Sequence, residues 1–171
     1  MTHFLISVFV PGIPRPAGSK RAFPIQRKGG GIGVAVTDSS GQKGKEWRAT
    51  IAGIVGPLRD GRPLIDEAIK ASMIFFLPRP QAHYRSNGEL KPSAPRFHTG
   101  KPDVLKLARA VEDALTSVVY TDDALITEIN YSKVYVESAA DPVGVNILIT
   151  PSDTAAARAA FGFPQRMESP A

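Results

Sequence analysis

The sequence predicts a single-domain α+β protein, a small mixed sheet with two main helices packed on it. Three observations support this. A chain of 171 residues suits one core but not two. Short runs of strand character alternate with two stretches of helical spacing. No internal repeat or linker-like composition divides the chain.

The elements follow in order. Phe4, Ile6, Val8 and Val10 alternate, which predicts a strand over 4–10 in preference to a signal peptide. "PGIPRP" ends it, because proline supplies no ladder amide. A basic loop is expected next, then a strand at "GIGVAVT", 31–37. In "SSGQKGKEWRATIAGIV", Trp47, Ile51, Ile54 and Val55 recur at helical spacing after Ser and Gly starts. "AIKASMIFFL", 68–77, reads as a strand stopped by "PRP". A long loop rich in Pro, Arg and His covers 78–102, and loops of that length are usually functional or disordered. A helix over 103–118, a strand over 124–137 and a strand over 145–150 complete a domain of residues 1–150. The tail, 151–171, is expected to be peripheral, with a short Ala-rich helix at 153–160.

Composition excludes several classes. There is no cysteine, so disulfides, thiolate metal sites and a thiol nucleophile are ruled out. His3, His83 and His98 are scattered and make no metal motif. Apolar runs such as "ASMIFFL" are too short to span a bilayer, so a cytoplasmic protein without membrane contact is expected. "GGGIG", 29–33, lacks the Lys-Ser/Thr and the helix of a phosphate loop, so no nucleotide cofactor is expected. A net charge of +5 and a pI near 9.6 favour a polyanionic partner. The charge is also localised. Arg15, Lys20, Arg21, Arg27, Lys28, Lys43, Lys45 and Arg48 crowd the N-terminal part. Arg85, Lys91, Arg96 and Lys101, interleaved with Tyr84 and Phe97, make a second basic segment.

Against this background "GKPDVLKLARAVEDALTSVVYTDDA", 100–124, gathers carboxylates. Val104, Leu107, Ala108, Val111, Leu115 and Val118 form one apolar stripe. Lys106, Arg109, Glu112, Asp113 and Thr116 point away from it, and Leu105 points with them. Asp103 precedes the stripe as an N-cap residue. Asp122 and Asp123 sit where the chain turns into the next strand. If that strand begins near the start of the helix, Asp103 and one of the pair face a common point. Hard cations such as Mg²⁺ need such oxygens. Each feature also has an ordinary reading: a cap for Asp103, a polar turn for "TDD", and a surface ion pair between Asp113 and Arg109.

The pattern Lys-Pro-Asp, an amphipathic helix carrying "DAL", and "DD" before a strand resembles the RusA-type Holliday-junction endodeoxyribonucleases. "VPGIPRPAGSKR", "KEWR", "FFLPRPQAH" and "SKVY" extend the likeness over roughly residues 4 to 150. The resemblance implies a RusA-like α+β fold, a homodimer, dependence on Mg²⁺ (with Mn²⁺ as a substitute), and paired nicks across four-way DNA in recombination and repair. It implies a metal site at Asp103 and Asp123 with Asp122 beside it, and Arg109 at a basic helix position. Arg109 and Lys101 would offset transition-state charge, as would Lys133 unless it is a solvated strand residue. Arg15, Lys20 and Arg21 would hold DNA phosphates. Asp113 stays open. The departure is Leu105. The family's commoner Asp-x-Asp-Asn-Leu reads Asp103-Val104-Leu105-Lys106-Leu107 here, without the second carboxylate. Glu112 lies about 10 Å along the helix from Leu105, too far to replace that carboxylate unless another element intervenes. Two alternatives follow: a junction-binding protein without catalysis, and a basic RNA-binding module.

Overall fold

The computed structural model describes residues 6–153. Among these residues, six strands and two α-helices occur in the order β1 (Ile6–Pro11), β2 (Lys20–Gln26), β3 (Ile32–Asp38), α1 (Gly41–Val55), β4 (Ile69–Leu77), α2 (Val104–Leu115), β5 (Ile126–Tyr135) and β6 (Gly144–Pro151). The main sheet has the order β1-β6-β4-β5, and β2 pairs with β3 in a separate two-stranded ribbon. β4 and β5 run parallel, and the other pairs in the main sheet are antiparallel. The sheet is therefore mixed, and the α+β expectation holds.

Period-two burial builds the core. Ile69, Ala71, Met73, Phe75 and Leu77 of β4 are buried, as are Val145, Ile147 and Ile149 of β6 and Ile6 and Val10 of β1. Against them lie Trp47, Ile51 and Val55 of α1 and Leu107, Ala108, Val111 and Leu115 of α2. Burying a side chain such as Leu107 stabilises by about 1.5–3 kcal/mol. Of the alternate residues, Ile74, Asn146 and Leu148 are exposed, and Lys70, Ser72 and Phe76 are half-buried.

Three expectations are corrected. The segment read as a basic loop contains β2, which pairs residue for residue with β3 from Lys20↔Asp38 to Gln26↔Ile32. "GGG" is the turn of this hairpin: Gly29, Gly30 and Gly31 have φ of 116°, 85° and 104°, a region that favours glycine. The second helix ends at Leu115, short of the expected residue 118. There the Glu112 carbonyl accepts from Thr116 N at 3.0 Å, Thr116 Oγ1 at 2.9 Å and Tyr120 Oη at 3.2 Å. Ser117 turns left-handed with φ 62°, and Tyr120 bridges to Ile65. β5 likewise starts two residues later than expected, because Asp123–Leu125 form a 3₁₀ turn. Of the tail, β6 takes Pro151, and the expected helix at 153–160 lies outside the described residues apart from Asp153.

At Gly144, β6 runs tight against β1. A Cβ there would stand 2.3 Å from the Val10 carbonyl oxygen and 2.6 Å from the Phe9 ring. Gly144→Ala is expected to destabilise by about 1–3 kcal/mol through this overlap. Chemical denaturation measures it, and a change under 0.5 kcal/mol, the size of an ordinary surface substitution, would show that the strands part without cost.

Candidate active site

α2 is the crossover between parallel strands β4 and β5, so it runs antiparallel to both. Its start lies by the end of β5. Lys133 Nζ of β5 donates to the carbonyls of Gly100 at 2.6 Å and Pro102 at 2.8 Å. That clamp holds the segment leading into Asp103, across a cis Lys101–Pro102 bond. Asp103 occupies the N-cap position with extended φ and ψ of −67° and 136°, yet its carboxylate makes no capping bond. Its side chain is 63% exposed, with Lys106 Nζ 3.9 Å away. Such an exposed pair contributes a few tenths of a kcal/mol, so the carboxylate is open to another ligand.

Around it the long loop is pinned down. Arg79 Nε donates to the Val136 carbonyl at 3.1 Å and Nη1 to that of Pro95 at 2.8 Å, while its guanidinium lies 4.6 Å from the Tyr135 ring centre. The His98 ring lies 4.5 Å from the same ring, and His83 meets it edge-on at 5.4 Å. Burial, helped by the charge of Lys133, lowers the His98 pKa against opposing backbone hydrogen bonds, which favours the neutral ring in this stack. From the other side Ala17 N donates to the Lys106 carbonyl at 2.7 Å, bringing Arg15 alongside. The result is a cavity of about 670 Å³ beside Asp103, rimmed by Arg15, Lys101 and Lys106 and walled by prolines, His98 and Tyr135.

The far end of α2 has the opposite sign. Asp122 Oδ1 accepts from Ala124 N at 2.8 Å and caps the 3₁₀ turn, as the ordinary reading of "TDD" expects. Asp123 follows, exposed. Its charge reaches half-buried Glu112, whose pKa is raised by desolvation first, then by Asp123 and Asp113, with Arg109 opposing. The buried Tyr120 hydroxyl is raised in the same sense by burial and by Glu112. Asp113 and Arg109 do not come within ion-pair distance among the described residues.

A family model for endodeoxyribonuclease RusA matches residues 14–150. The chain belongs to the RusA endodeoxyribonuclease family. No curated protein matches it. The family is one of Holliday-junction resolving nucleases, and its match spans both ends of α2 and every candidate metal, catalytic and DNA-binding residue read from the sequence.

The geometry corrects the expectation that Asp103 and the Asp122–Asp123 pair face one point. Twelve residues of helix separate the two ends by about 18 Å. A crossover helix delivers the chain to the start of the next parallel strand, which lies at the opposite end of the sheet from where the helix began. Asp103 is thus grouped with Arg15, Lys101, Lys106 and Lys133, and Asp123 with Glu112 and Asp113. Among the described residues no three acidic, histidine or cysteine side chains are placed to hold a metal ion. In kind the donors fit Mg²⁺: hard carboxylate oxygens, of which one or two plus waters suffice. Lys133 is not a solvated strand residue, and two of its protons secure the loop. The side chains of Lys20 and Arg21 lie outside the described residues. The residue that sequence reasoning set aside is Glu112. Its signal was present: the last turn of an amphipathic helix packs against the turn that follows it, and that turn is "TDD".

Because the Glu112 carboxyl holds its proton to higher pH folded than unfolded, the stability linked to that proton is complete at low pH. It is lost as pH rises through the raised value. Glu112→Gln removes the charge and keeps the shape. It is expected to raise the Tm at neutral and mildly alkaline pH, with the gain vanishing below 4.5, the ordinary glutamate value. A gain independent of pH in thermal melts would contradict this origin.

Proposed function

We propose that the protein is a homodimeric, Mg²⁺-dependent endodeoxyribonuclease that cuts four-way DNA junctions by paired symmetric nicks. One observation carries the reading. An N-cap carboxylate, Asp103, forgoes its cap and stands at the mouth of a cavity rimmed by three cations. Such a site suits a phosphodiester, whose charge the rim attracts while the carboxylate is left to bind metal.

Asp103, Asp123 and the second oxygen of Asp122 are the residues that would hold the ion. When bound, it supplies Lewis-acid polarisation of a phosphate oxygen and a more acidic water. Arg15 and Lys101 bind phosphates flanking the cut, and Arg109 faces charge that develops during it. Lys133 acts as a positioning residue through the Gly100 and Pro102 carbonyls.

Within one chain Asp103 and Asp123 are too far apart to share an ion, which gives the dimer a chemical role. α2 carries Lys106 and Arg109 in its first part and Glu112 and Asp113 in its last, with Lys101 before it and Asp122 and Asp123 after it. That polarity complements itself when two copies of α2 lie antiparallel about a twofold axis. The pairing would bring Asp103 of one chain toward Asp123 of the other and give two equivalent sites for two nicks. Leu105, 63% exposed on this face, becomes an apolar contact across the axis.

The second reading, a protein that binds junctions without cutting them, is favoured by the same exposed leucine, which stands where the family more often has a carboxylate. Cleavage of a synthetic four-way junction in Mg²⁺ separates the two. Asp103→Asn and Asp123→Asn are each expected to lower the rate by about a hundredfold or more while junction binding stays within a few-fold. Cleavage that survives both substitutions overturns the assignment. Tight binding without cleavage by the unaltered chain establishes the second reading.

A further inference from the structure

The β2–β3 hairpin is not used by the cleavage chemistry, and it is unusual in three respects. It is a two-stranded ribbon outside the main sheet, seven residue pairs long, so it extends about 23 Å. It exposes large apolar side chains: Ile32 is 80% exposed, Val34 69%, Phe23 44% and Ile25 41%. It is also purely cationic up to its end, because no Asp or Glu precedes Asp38 while Arg27 and Lys28 stand at its tip.

The two faces of the ribbon differ. Pairing places Phe23 and Ile25 opposite Ala35 and Gly33, and there Arg27 folds back: a Cβ on Gly33 would meet Arg27 Nε at 2.9 Å and Ile25 Cγ1 at 3.4 Å. The other face carries Val34 opposite Pro24 and Ile32 opposite Gln26, and is left bare. The tip is thin. Gly29, Gly30 and Gly31 have open space where side chains would be, so a partner can approach the backbone closely. At its root Ser39 N donates to the Ser19 carbonyl at 3.2 Å, and Ser19 N to Ser39 Oγ at 2.8 Å. Two residues before that root, Ala17 N is bonded to the carbonyl of Lys106. The ribbon therefore springs from beside Asp103.

We infer that this hairpin is a DNA-reading ribbon that enters the junction at its crossover, with Ile32 and Val34 against unstacked bases and Arg27 and Lys28 on the phosphates either side. The inference rests on the junction-binding reading above. Charge selects the occupant. A second copy of so cationic a ribbon is repelled, whereas phosphate attracts it. Pro24 brings no amide proton to β2, which weakens that edge as a template for another protein strand. A two-stranded ribbon has the width of a DNA groove, and apolar side chains at base steps unstack them. Of the DNA available to this family, the crossover of a branched molecule is where bases are most easily separated.

The test measures binding and base unstacking without metal, so that a chain unable to cut gives the same readouts. The probes are a four-way junction with 2-aminopurine at the crossover and a linear duplex of matched length. The unaltered protein should raise the 2-aminopurine fluorescence. Ile32→Ser with Val34→Ser should abolish that rise and lower the preference for junction over duplex at least about fivefold. Arg27→Ala with Lys28→Ala should reduce the slope of log affinity against log salt by about 1.8, the loss of two phosphate contacts. All four positions are exposed, so the variants should keep the melting temperature of the parent. An unchanged slope together with unchanged preference overturns the proposal. So does conversion of the Ile32/Val34 variant to a monomer in light scattering, which would make the ribbon a contact between chains.

Discussion

The arrangement depends on one packing event, the docking of the buried stripe of α2 against α1 and the strand β5 that it leads into. Leu107, Val111 and Leu115 are fully buried there, as is Tyr120 just beyond the helix end. Because α2 is the crossover of a parallel pair, its direction is fixed by the strands it joins. Everything chemical then falls at one end or the other. The start of the helix meets the end of β5, where Lys133 holds the loop that presents Asp103. The end of the helix meets the turn before β5, where Asp123 faces Glu112.

The same constraint accounts for the electrostatics. Half-burial first, and then the charges of Asp123 and Asp113, raise the Glu112 pKa, and the cost is carried by a helix end already fixed by three hydrogen bonds to one carbonyl. At the other end a carboxylate is surrounded by cations and left without its cap. Stability alone would favour the reverse, with Asp103 capping the first turn and the acids dispersed. Departures of this kind from local rules concentrate at functional sites. Leu105 belongs to the same face, and its exposure shows that core packing does not explain it.

Most of the architecture was legible because its elements bury one face. Alternation in "AIKASMIFFL" and three-four spacing in "VLKLARAVEDAL" are direct images of a half-covered sheet and a docked helix. β2 was not legible for the corresponding reason. A ribbon with both faces open leaves no burial pattern, and a proline and four basic residues between 20 and 28 read as a loop. Within the site, the identities of Asp103, Asp122 and Asp123 could be read, since carboxylates in so basic a chain stand out. Their separation could not, because it depends on whether the strand after the helix runs parallel to the one before it. Neither could the role of Lys133, whose partners are backbone carbonyls some thirty residues away.

In the proposed dimer each catalytic centre draws Asp103 from one chain and Asp123 from its partner. Mixed dimers of the Asp103→Asn and Asp123→Asn variants, isolated through two different tags, test it most directly. In a shared arrangement one of the two centres in such a dimer has both carboxylates, and the other has neither. Mixed dimers are expected to regain single-strand nicking of a four-way junction far above either parent. Mixed dimers as inactive as the parents would contradict it, and would place each centre within a single chain.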